Sequence, residues 1–207
     1  MITYCILAFT IVFSLIGFRD KAFFIKYLYS PWRVHSDRKE WYTVFTHAFL
    51  HADYGHLFFN MFALYSIGLE LEQYVFPAFF PLHARYYYLL LYFGGIVVSS
   101  VPAYEKNKNN PGYSAVGASG AIFAVLFSFI LINPTAKLGI MFIPFDIPAF
   151  VLGILYLGYE FYMSKRGGTR IGHDAHLWGG LFGIAFTIIL HPAFAKGFYT
   201  QIAAMLK

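Results

Sequence analysis

An apolar segment begins at the turn Gly117-Ala118-Ser119-Gly120 and ends at Pro134. Proline cannot continue a helix, and it disfavours helical geometry at the residue before it. The segment therefore predicts a helix over residues 119–132, about 21 Å long at 1.5 Å per residue. A bilayer's hydrocarbon layer is roughly 30 Å thick. If this helix lies in a membrane, its N-terminal end lies below the surface, shielded by protein or facing a water-filled cavity.

The composition indicates that the surrounding medium is a membrane. Hydrophobic residues make up 59% of the 207 residues and charged residues only 12%, against about 25% charged residues in a soluble domain. The net charge of +5 is spread over loops, which favours membrane-flanking basic residues over a nucleic-acid interface. Cys5 is the single cysteine and excludes an internal disulfide. We expect an all-α membrane protein with one domain over residues 1–207, no cleavable signal peptide and no soluble domain.

Six apolar segments of helical length follow one another along the chain and predict six membrane helices. The region between the first two, residues 19–54, mixes Trp and Tyr with charged residues. That mixture is typical of the membrane–water interface and predicts a long first loop on one leaflet. An amphipathic tail follows the sixth segment. The predicted helices are residues 2–18, 55–76, 86–101, 119–132, 145–163 and 174–190.

Three polar residues are predicted to lie at a common depth. The second, fourth and sixth helices run in the same direction, and each ends before a proline. Asn60, Ser119 and His176 lie 17, 15 and 16 residues before those prolines, so their depths agree within about 3 Å. Serine and histidine can form a nucleophile–base pair. Asn60, with His56 one turn before it, can donate hydrogen bonds to an oxyanion.

Small residues predict a close approach between the fourth and sixth helices. The sixth helix has Gly179 and Gly183, and the fourth has Gly120 and Ala124 at the same four-residue spacing. Small side chains at this spacing allow helix backbones to pack closely in membranes. A contact between the serine and the histidine requires such an approach.

These motifs resemble those of the rhomboid family of intramembrane serine proteases. The most specific are Gly-Ala-Ser-Gly-Ala-Ile-Phe at 117–123, Ala-His-x-x-Gly-x-x-x-Gly at 175–183 and His-x-x-x-Asn at 56–60. The stretch Phe-Thr-His-Ala at 45–48 is also similar to the family's first loop. The resemblance implies a six-transmembrane-helix rhomboid-like bundle with a short central fourth helix and a long membrane-surface first loop.

The resemblance also implies a serine endopeptidase that cuts membrane-anchored protein substrates in or near their transmembrane segments. Ser119 would be the nucleophile and His176 the base, with His56, Asn60 and the backbone N–H of Ser119 as oxyanion donors. Phe123 stands where some relatives have a tyrosine that stacks on the histidine. The implied partners are these substrates and the lipid bilayer. No cofactor, metal or nucleic acid is implied.

Two other functional classes fit parts of the pattern. A catalytically inactive rhomboid-like protein would bind transmembrane clients, but such relatives usually lack the serine or the histidine. A small transporter could use the polar groups at mid-depth, but it would show discontinuous helices in repeated halves. That repetition is not apparent in the sequence.

Further polar residues are interpreted as structural. His47 and His51 lie four residues apart and could ligate a metal, but no nearby cysteine or acidic residue completes a set. Hydrogen bonding is the preferred interpretation of both. Glu70 and Glu72 could form a proton relay. We expect Glu72 to accept hydrogen bonds between a helix and a loop instead.

The charge distribution and the family resemblance disagree about topology. The first, third and fifth loops hold 6, 2 and 3 of the 15 Lys and Arg residues, and the positive-inside rule places such loops in the cytoplasm. The resemblance places these loops, and the opening of the site, on the extracytoplasmic side of a prokaryotic inner membrane. We expect the second orientation, because most of the charge lies in the first loop, predicted to lie folded into the membrane surface.

Substrate entry is predicted between the fifth and second helices. Glycines in the loop after the fifth helix could absorb its movement as a hinge; they are Gly167, Gly168 and Gly172. Bulky side chains on the two helices are expected to close the path until the fifth helix moves. They are Phe150, Leu157 and Phe161 on the fifth helix and Phe58, Phe59 and Phe62 on the second.

Overall fold

The first apolar segment forms a single helix. The computed structural model describes residues 1–139, 146–166 and 172–207, and most of these are helical. Helix α1 (Ile2–Arg19) ends at Asp20. The Asp20 carboxylate accepts hydrogen bonds from the N–H groups of Ala22 and Phe23 and so caps the helix that follows.

The predicted first loop is a series of short helices. Side-chain caps explain several of its turns, because Ser30 and Asp37 accept from N–H groups that a helix start leaves unpaired. The region therefore has defined geometry rather than the irregular course of a loop. Its elements are α2 (Lys21–Tyr27), α3 (Pro31–Ser36), a 3₁₀ turn (Arg38–Tyr42), α4 (Thr43–Thr46) and a second 3₁₀ turn (His47–Phe49).

The second apolar segment is a continuous helical stretch that contains two wider, π-type turns. It begins as α5 (Tyr54–Ala63), passes through π turns at Leu64–Gly68 and Leu71–Val75, and ends as α6 (Phe76–Phe79). The predicted end before Pro77 is wrong. After the second π turn, Pro77 lies in the first turn of α6, where the N–H that proline lacks is not required.

Glu72 joins this stretch to α1. Its two carboxylate oxygens accept from the backbone N–H groups of Ile2 (2.7 Å) and Thr3 (2.8 Å), which begin α1 and have no partner within that helix. The prediction that Glu72 accepts hydrogen bonds is confirmed. Its partners belong to a helix start rather than to a loop.

The third helix, α7 (Ala84–Asn107), is longer than predicted and passes through Pro102. Proline removes only one N–H donor from the ladder. The turns beyond it are held by the N–H of Lys108, which donates to the carbonyl of Tyr104, and by the Asn107 amide, which donates to the carbonyl of Ala103. The charged residues after Pro102 therefore extend the helix instead of forming an immediate loop.

The fourth segment forms α8 (Ser119–Ile132), with the predicted bounds. A short antiparallel pair then joins β1 (Lys137–Gly139) to β2 (Asp146–Pro148). The expectation of an all-α chain missed this small sheet, which takes up residues expected at the start of the fifth helix. That helix, α9, runs from Ala149 to Arg166, while the predicted starting residue, Phe145, lies outside the described residues.

The sixth segment forms α10 (His173–Leu190), and the tail forms α11 (Ala193–Met205). The two meet at an angle of 109°, because Pro192 between them cannot continue α10. Among the described residues, α1 and α7 are each long and apolar enough to cross a membrane. The bent pair of α10 and α11 would count as a third.

Helix α8 is buried over most of its length, from Gly120 to Ile132. It packs against α7, α9, α10 and α11. Burial on several sides explains why its sequence is apolar all round, without the polar face of a surface helix. Ser128 is the polar exception between Gly120 and Ile132, and its hydroxyl is hydrogen-bonded to the hydroxyl of Thr187 on α10 at 2.7 Å.

The gate between the fifth and second helices stays a prediction, and several of its residues have defined neighbours. Leu157 on α9 faces α10, beside Gly180, and the ring of Phe161 lies under the Lys165 ammonium at 4.3 Å. The three phenylalanines of α5 are about half exposed and form ring pairs with one another; they are Phe58, Phe59 and Phe62. The hinge glycines Gly167 and Gly168 lie outside the described residues.

Candidate active site

The turn before Ser119 has a backbone conformation that favours glycine. Gly117 has a φ of +121°, which L side chains rarely adopt. A Cβ at this position would also lie 2.7 Å from Cε1 of the His56 ring. Gly117 therefore lets the chain turn sharply beside His56 and enter α8 at Ser119, which is half-buried.

The first loop holds this turn in place. The backbone N–H of Gly117 donates to the carbonyl of His47 at 2.9 Å. Two residues earlier, Ala115 and Tyr29 exchange backbone hydrogen bonds of 2.9 and 3.1 Å. Tyr29 is almost completely buried, so this link lies inside the protein. The sequence motifs around Ser119 contain no sign that Tyr29 takes part.

The predicted close approach of α8 and α10 is confirmed. A Cβ on Gly179 would overlap the carbonyl oxygen of Gly120, and a Cβ on Gly183 would overlap that of Ala124. The two backbones are thus nearly in contact at two successive turns. Any larger residue at either glycine would force the helices apart.

This approach brings Ser119 and His176 together. Oγ of Ser119 lies 2.8 Å from Nε2 of His176, although the residues are 57 positions apart in the chain. The His176 side chain is 13% exposed, so most of the ring is shielded. Ser119 is also the first residue of α8, where backbone N–H groups point outward without intrahelical partners. Such donors can stabilise developing negative charge on a bound carbonyl.

The ring of Phe123 stacks on His176. Their centroids are 4.4 Å apart and their planes differ by 5°. Phe123 lies one turn after Ser119, so it covers the imidazole from the helix that carries the serine. The stacking expected at this position is present, and it limits the ring's rotation without using either imidazole nitrogen.

Glu160 on α9 was not among the predicted site residues, yet it contacts the histidine directly. Its Oε1 lies 2.9 Å from Nδ1 of His176, and its Oε2 lies 2.5 Å from Nδ1 of His173. Glu160 and His173 are both buried. A glutamate within an apolar helix is a sequence signal for function, but no local motif connects Glu160 with His176.

His56 and Asn60 lie on α5, on the other side of the Gly117 turn. The ring of His56 lies against Gly117, two residues before Ser119. The Asn60 side chain is buried, and its amide donates to the carbonyl of His56 at 2.9 Å. This bond uses one of its two N–H groups. His56 is therefore beside the serine turn, and Asn60 supports the helix turn that carries His56.

His47 and His51 make separate hydrogen bonds in the first loop. Burial lowers the pKa of His47 to about 4, and its Nδ1–H donates to the carbonyl of Thr43 at 3.0 Å. Burial and the neighbouring His56 lower the pKa of His51 to about 3. The Ser14 hydroxyl donates to Phe49, so Nδ1–H of His51 donates to Ser14. Both rings are thus neutral and structural, as expected.

The groups with suitable spacing for a metal lie at His176 rather than at His47. Ligand atoms of Glu160, His173 and His176 lie within 4.8 Å of one another. Such a set could hold a metal ion. The two hydrogen bonds to Glu160 already occupy these atoms, with one histidine on each carboxylate oxygen. The hydrogen bonds to Glu160 therefore account for these ligand atoms, whereas Nε2 of His173 is buried without a hydrogen-bond partner among the described residues.

The apolar helices identify the chain as a helical membrane protein. The family model described as the Rhomboid domain matches residues 38–193. The chain belongs to the rhomboid family. The match covers the first loop from Arg38 onward, the second helical stretch and every residue of the polar site.

Similar proteins come from plants, bacteria and animals. The chain is 32% identical, over 67% of its length, to RHOMBOID-like protein 12, mitochondrial, of Arabidopsis thaliana. It is 29% identical, over 70% of its length, to Rhomboid protease GluP of Bacillus subtilis. It is also 29% identical, over 66%, to Presenilin-associated rhomboid-like protein A, mitochondrial, of Danio rerio. These matches cover 43%, 26% and 34% of those relatives, which are therefore considerably longer.

Proposed function

We propose that this chain is an intramembrane serine endopeptidase that uses a Ser119–His176 dyad. The observation that carries the proposal is the 2.8 Å contact between Oγ of Ser119 and Nε2 of His176. The distance suits proton transfer from a nucleophile to a general base. The relative named as a rhomboid protease supports the same reaction class.

In the proposed reaction, Oγ of Ser119 attacks the carbonyl carbon of a substrate peptide bond, and its proton moves to Nε2 of His176. The carbonyl electron pair moves onto oxygen. The imidazolium then gives its proton to the amide nitrogen as the C–N bond breaks, which releases the first product and leaves an acyl-enzyme. A water molecule, deprotonated by the same imidazole, hydrolyses the acyl-enzyme and restores Ser119.

The oxyanion would be stabilised from two directions. The backbone N–H of Ser119 points outward at the start of α8, and α5 offers His56 and Asn60 on the other side of the turn. His56 lies against Gly117, and Asn60 retains an N–H beyond the one donated to His56. Donors on both sides of the developing charge suit acyl transfer.

We propose that residues 1–207 cross the bilayer six times as one domain, with α8 as a short central helix and the first loop on the membrane surface. The wide turns between α5 and α6, and the charged end of α9, interrupt two of the proposed crossings. The substrates would be membrane-anchored proteins cut in or near their transmembrane segments. A bond within a helix has its carbonyl engaged, so helix-weakening residues and a small side chain at the cut are expected.

From the sequence we expected a prokaryotic inner membrane, but two of the relatives are named as mitochondrial proteins. The relatives therefore give that membrane no preference over a mitochondrial one. We propose a multi-pass membrane location with the site opening on the side of the first loop.

The test measures hydrolysis by the purified full chain in liposomes, with a labelled transmembrane substrate and a fluorophosphonate probe. Ser119→Ala and His176→Ala should each abolish cleavage, because removing one member of a cooperating pair removes most of its rate contribution. Ser119→Ala should also lose the label. Both variants should remain inserted and folded.

Ser128→Ala is the matched control, since it removes a serine from the same helix. The Thr187 hydroxyl can still donate to the carbonyl of Gly183, so this variant should cleave and label as the parent does. Cleavage retained in Ser119→Ala would refute the proposal. A parent protein that binds transmembrane clients but neither cleaves nor labels would establish the inactive rhomboid-like alternative.

A further inference from the structure

A buried carboxylate on α9 lies between two histidines of α10. Glu160 is 3% exposed, and each of its oxygens faces one imidazole Nδ1, at 2.9 Å for His176 and 2.5 Å for His173. Removing a carboxylate from water is costly unless it is paired and hydrogen-bonded. The two histidines supply these partners from one helix, three residues apart.

The contact between Glu160 and His176 decides which nitrogen of the imidazole carries the proton. An ionised carboxylate accepts hydrogen bonds and donates none, so Nδ1 of His176 must present its N–H to Glu160. In the neutral ring Nε2 is then the acceptor, and it is the nitrogen that faces Oγ of Ser119. The opposite tautomer would place a proton between Nε2 and the serine, and the ring could not act as a base.

The carboxylate is itself held in orientation. The Nδ1–H of His173 occupies Oε2, which keeps Oε1 turned towards His176. One turn further along α9, the Ser164 hydroxyl is hydrogen-bonded to Asp174 of α10, and Lys106 of α7 donates to the same carboxylate at 2.7 Å. These contacts fix the end of α9 that carries Glu160 against α10.

We propose that Glu160 is a positioning residue that completes a Ser119–His176–Glu160 triad, with His173 orienting the carboxylate. This inference rests on the proposed peptidase function. The negative charge stabilises the imidazolium that forms when Ser119 loses its proton. Because Glu160 is on α9, the base is fully competent only while this end of α9 is packed against α10. A movement of α9 that admits substrate would have to preserve this contact or restore it before the chemical step.

Glu160→Gln tests the proposal, because it keeps the shape of the side chain and removes its charge. The expected result is a fall in kcat of about 10²-fold or more, within the range for general acid–base assistance, with KM changed less than about twofold. The acidic limb of the kcat profile should move to lower pH, because the imidazolium loses its ionised partner. A purely structural role would not move that limb.

Glu160→Asp is the second variant and covers the possibility that Glu160→Gln does not fold. It keeps the charge but shortens the reach by one methylene, so a smaller fall in kcat is expected with the acidic limb unchanged. Glu72→Gln is the matched control, since it neutralises another buried glutamate whose partners are N–H groups of α1. It should lower stability but leave kcat and the pH profile of the folded protein unchanged.

The outcomes of these experiments distinguish the proposed role of Glu160 from the proposed Ser119–His176 dyad. Cleavage that depends on Ser119, with an unchanged kcat and pH profile in both Glu160 variants, would overturn the proposed role of Glu160. The proposed peptidase function would stand. Loss of parent activity on dialysis against a chelator, restored by Zn²⁺, would also overturn the role proposed for Glu160, because Glu160, His173 and His176 would then be metal ligands. Failure of the peptidase itself would appear differently, as cleavage that survives Ser119→Ala.

Discussion

At the scale of single residues, the site combines groups of two kinds. Ser119 and His176 lie in short motifs whose spacing indicates chemistry. Glu160 lies in an ordinary apolar helix, and only its contacts with His176 and His173 distinguish it from a buried structural carboxylate. Its partners are 13 and 16 positions away on another helix, so no pattern of neighbouring residues reveals the pairing.

Asn60→Ala should lower kcat more than it raises KM. The proposed hydrogen bond strengthens only as charge develops on the oxyanion, and losing one such donor costs about 10²–10³ in kcat. His56→Ala should behave similarly, and the double variant should lose less than the product of the two effects. Steady-state kinetics on a reconstituted transmembrane substrate would measure these changes.

Asn107→Ala is the control for Asn60→Ala. Both amides donate to the carbonyl four residues earlier, at 2.9 Å for Asn60 and 3.1 Å for Asn107, so both substitutions remove the same local support. Only Asn60 lies at the site. A rise in KM with unchanged kcat in Asn60→Ala would reassign this residue to substrate binding.

At the scale of helices, two sets of contacts assemble the site. The first loop holds the Gly117 turn, because the carbonyl of His47 accepts from Gly117 and Tyr29 exchanges backbone hydrogen bonds with Ala115. His47 and Tyr29 are far from Ser119 in the sequence. The glycines of α10 let it approach α8 until their backbones nearly touch. The position of His176 over Ser119 therefore depends on backbone geometry as much as on either side chain.

Gly183→Ala should separate α8 from α10 and weaken the Ser119–His176 contact. The added methyl would overlap the carbonyl oxygen of Ala124, and overpacking of this kind costs about 1–3 kcal/mol. We expect a lower melting temperature in detergent and a loss of cleavage larger than the loss of folded protein explains. Thermal unfolding by circular dichroism and cleavage of the reconstituted substrate would report the two effects.

Gly158→Ala provides the comparison. Gly158 is an exposed glycine of α9 with open space where its Cβ would lie, and alanine is favoured over glycine inside a helix by about 0.5–1 kcal/mol. This variant should be as active as the parent and equally or more stable. Equal behaviour of the two variants would mean that close packing of α8 and α10 is not required.

At the scale of the whole molecule, the charge distribution and the family resemblance favour opposite orientations of the chain in the membrane. The basic residues are concentrated in the loops beside the site, and the positive-inside rule favours the cytoplasm for such loops. Several of them are engaged within the protein, as in the ion pairs of Arg33 with Glu40 and Lys106 with Asp174.

A reporter fused after Lys207 should lie in the cytoplasm of a bacterial expression host. Six crossings with an extracytoplasmic first loop leave both chain ends on the cytoplasmic side. Green fluorescent protein should therefore fluoresce at this position, and alkaline phosphatase should be inactive. A fusion after Asn110, beyond α7, should give the opposite pair of readings. Active phosphatase after Lys207 would reverse the proposed orientation.

Local sequence features were sufficient for the helical membrane character, the bounds of α8 and the motifs that contain Ser119 and His176. These features depend on local properties, namely segment length, a terminating proline and residue spacing. Predictions from local rules were wrong at two prolines and at one pair of strands. The second helix continued through Pro77 after a π turn, the third continued through Pro102, and β1 and β2 paired within an expected all-helical chain.

Only the tertiary structure connected Glu160 with His176, Glu72 with the start of α1, and Tyr29 with the turn before Ser119. The physical reason is the same in each case. A buried polar group must find a partner, but its own sequence neighbours do not say which distant helix or loop supplies it. The sequence could therefore indicate that such residues need partners, while the packing of helices and the first loop decided which partners they have.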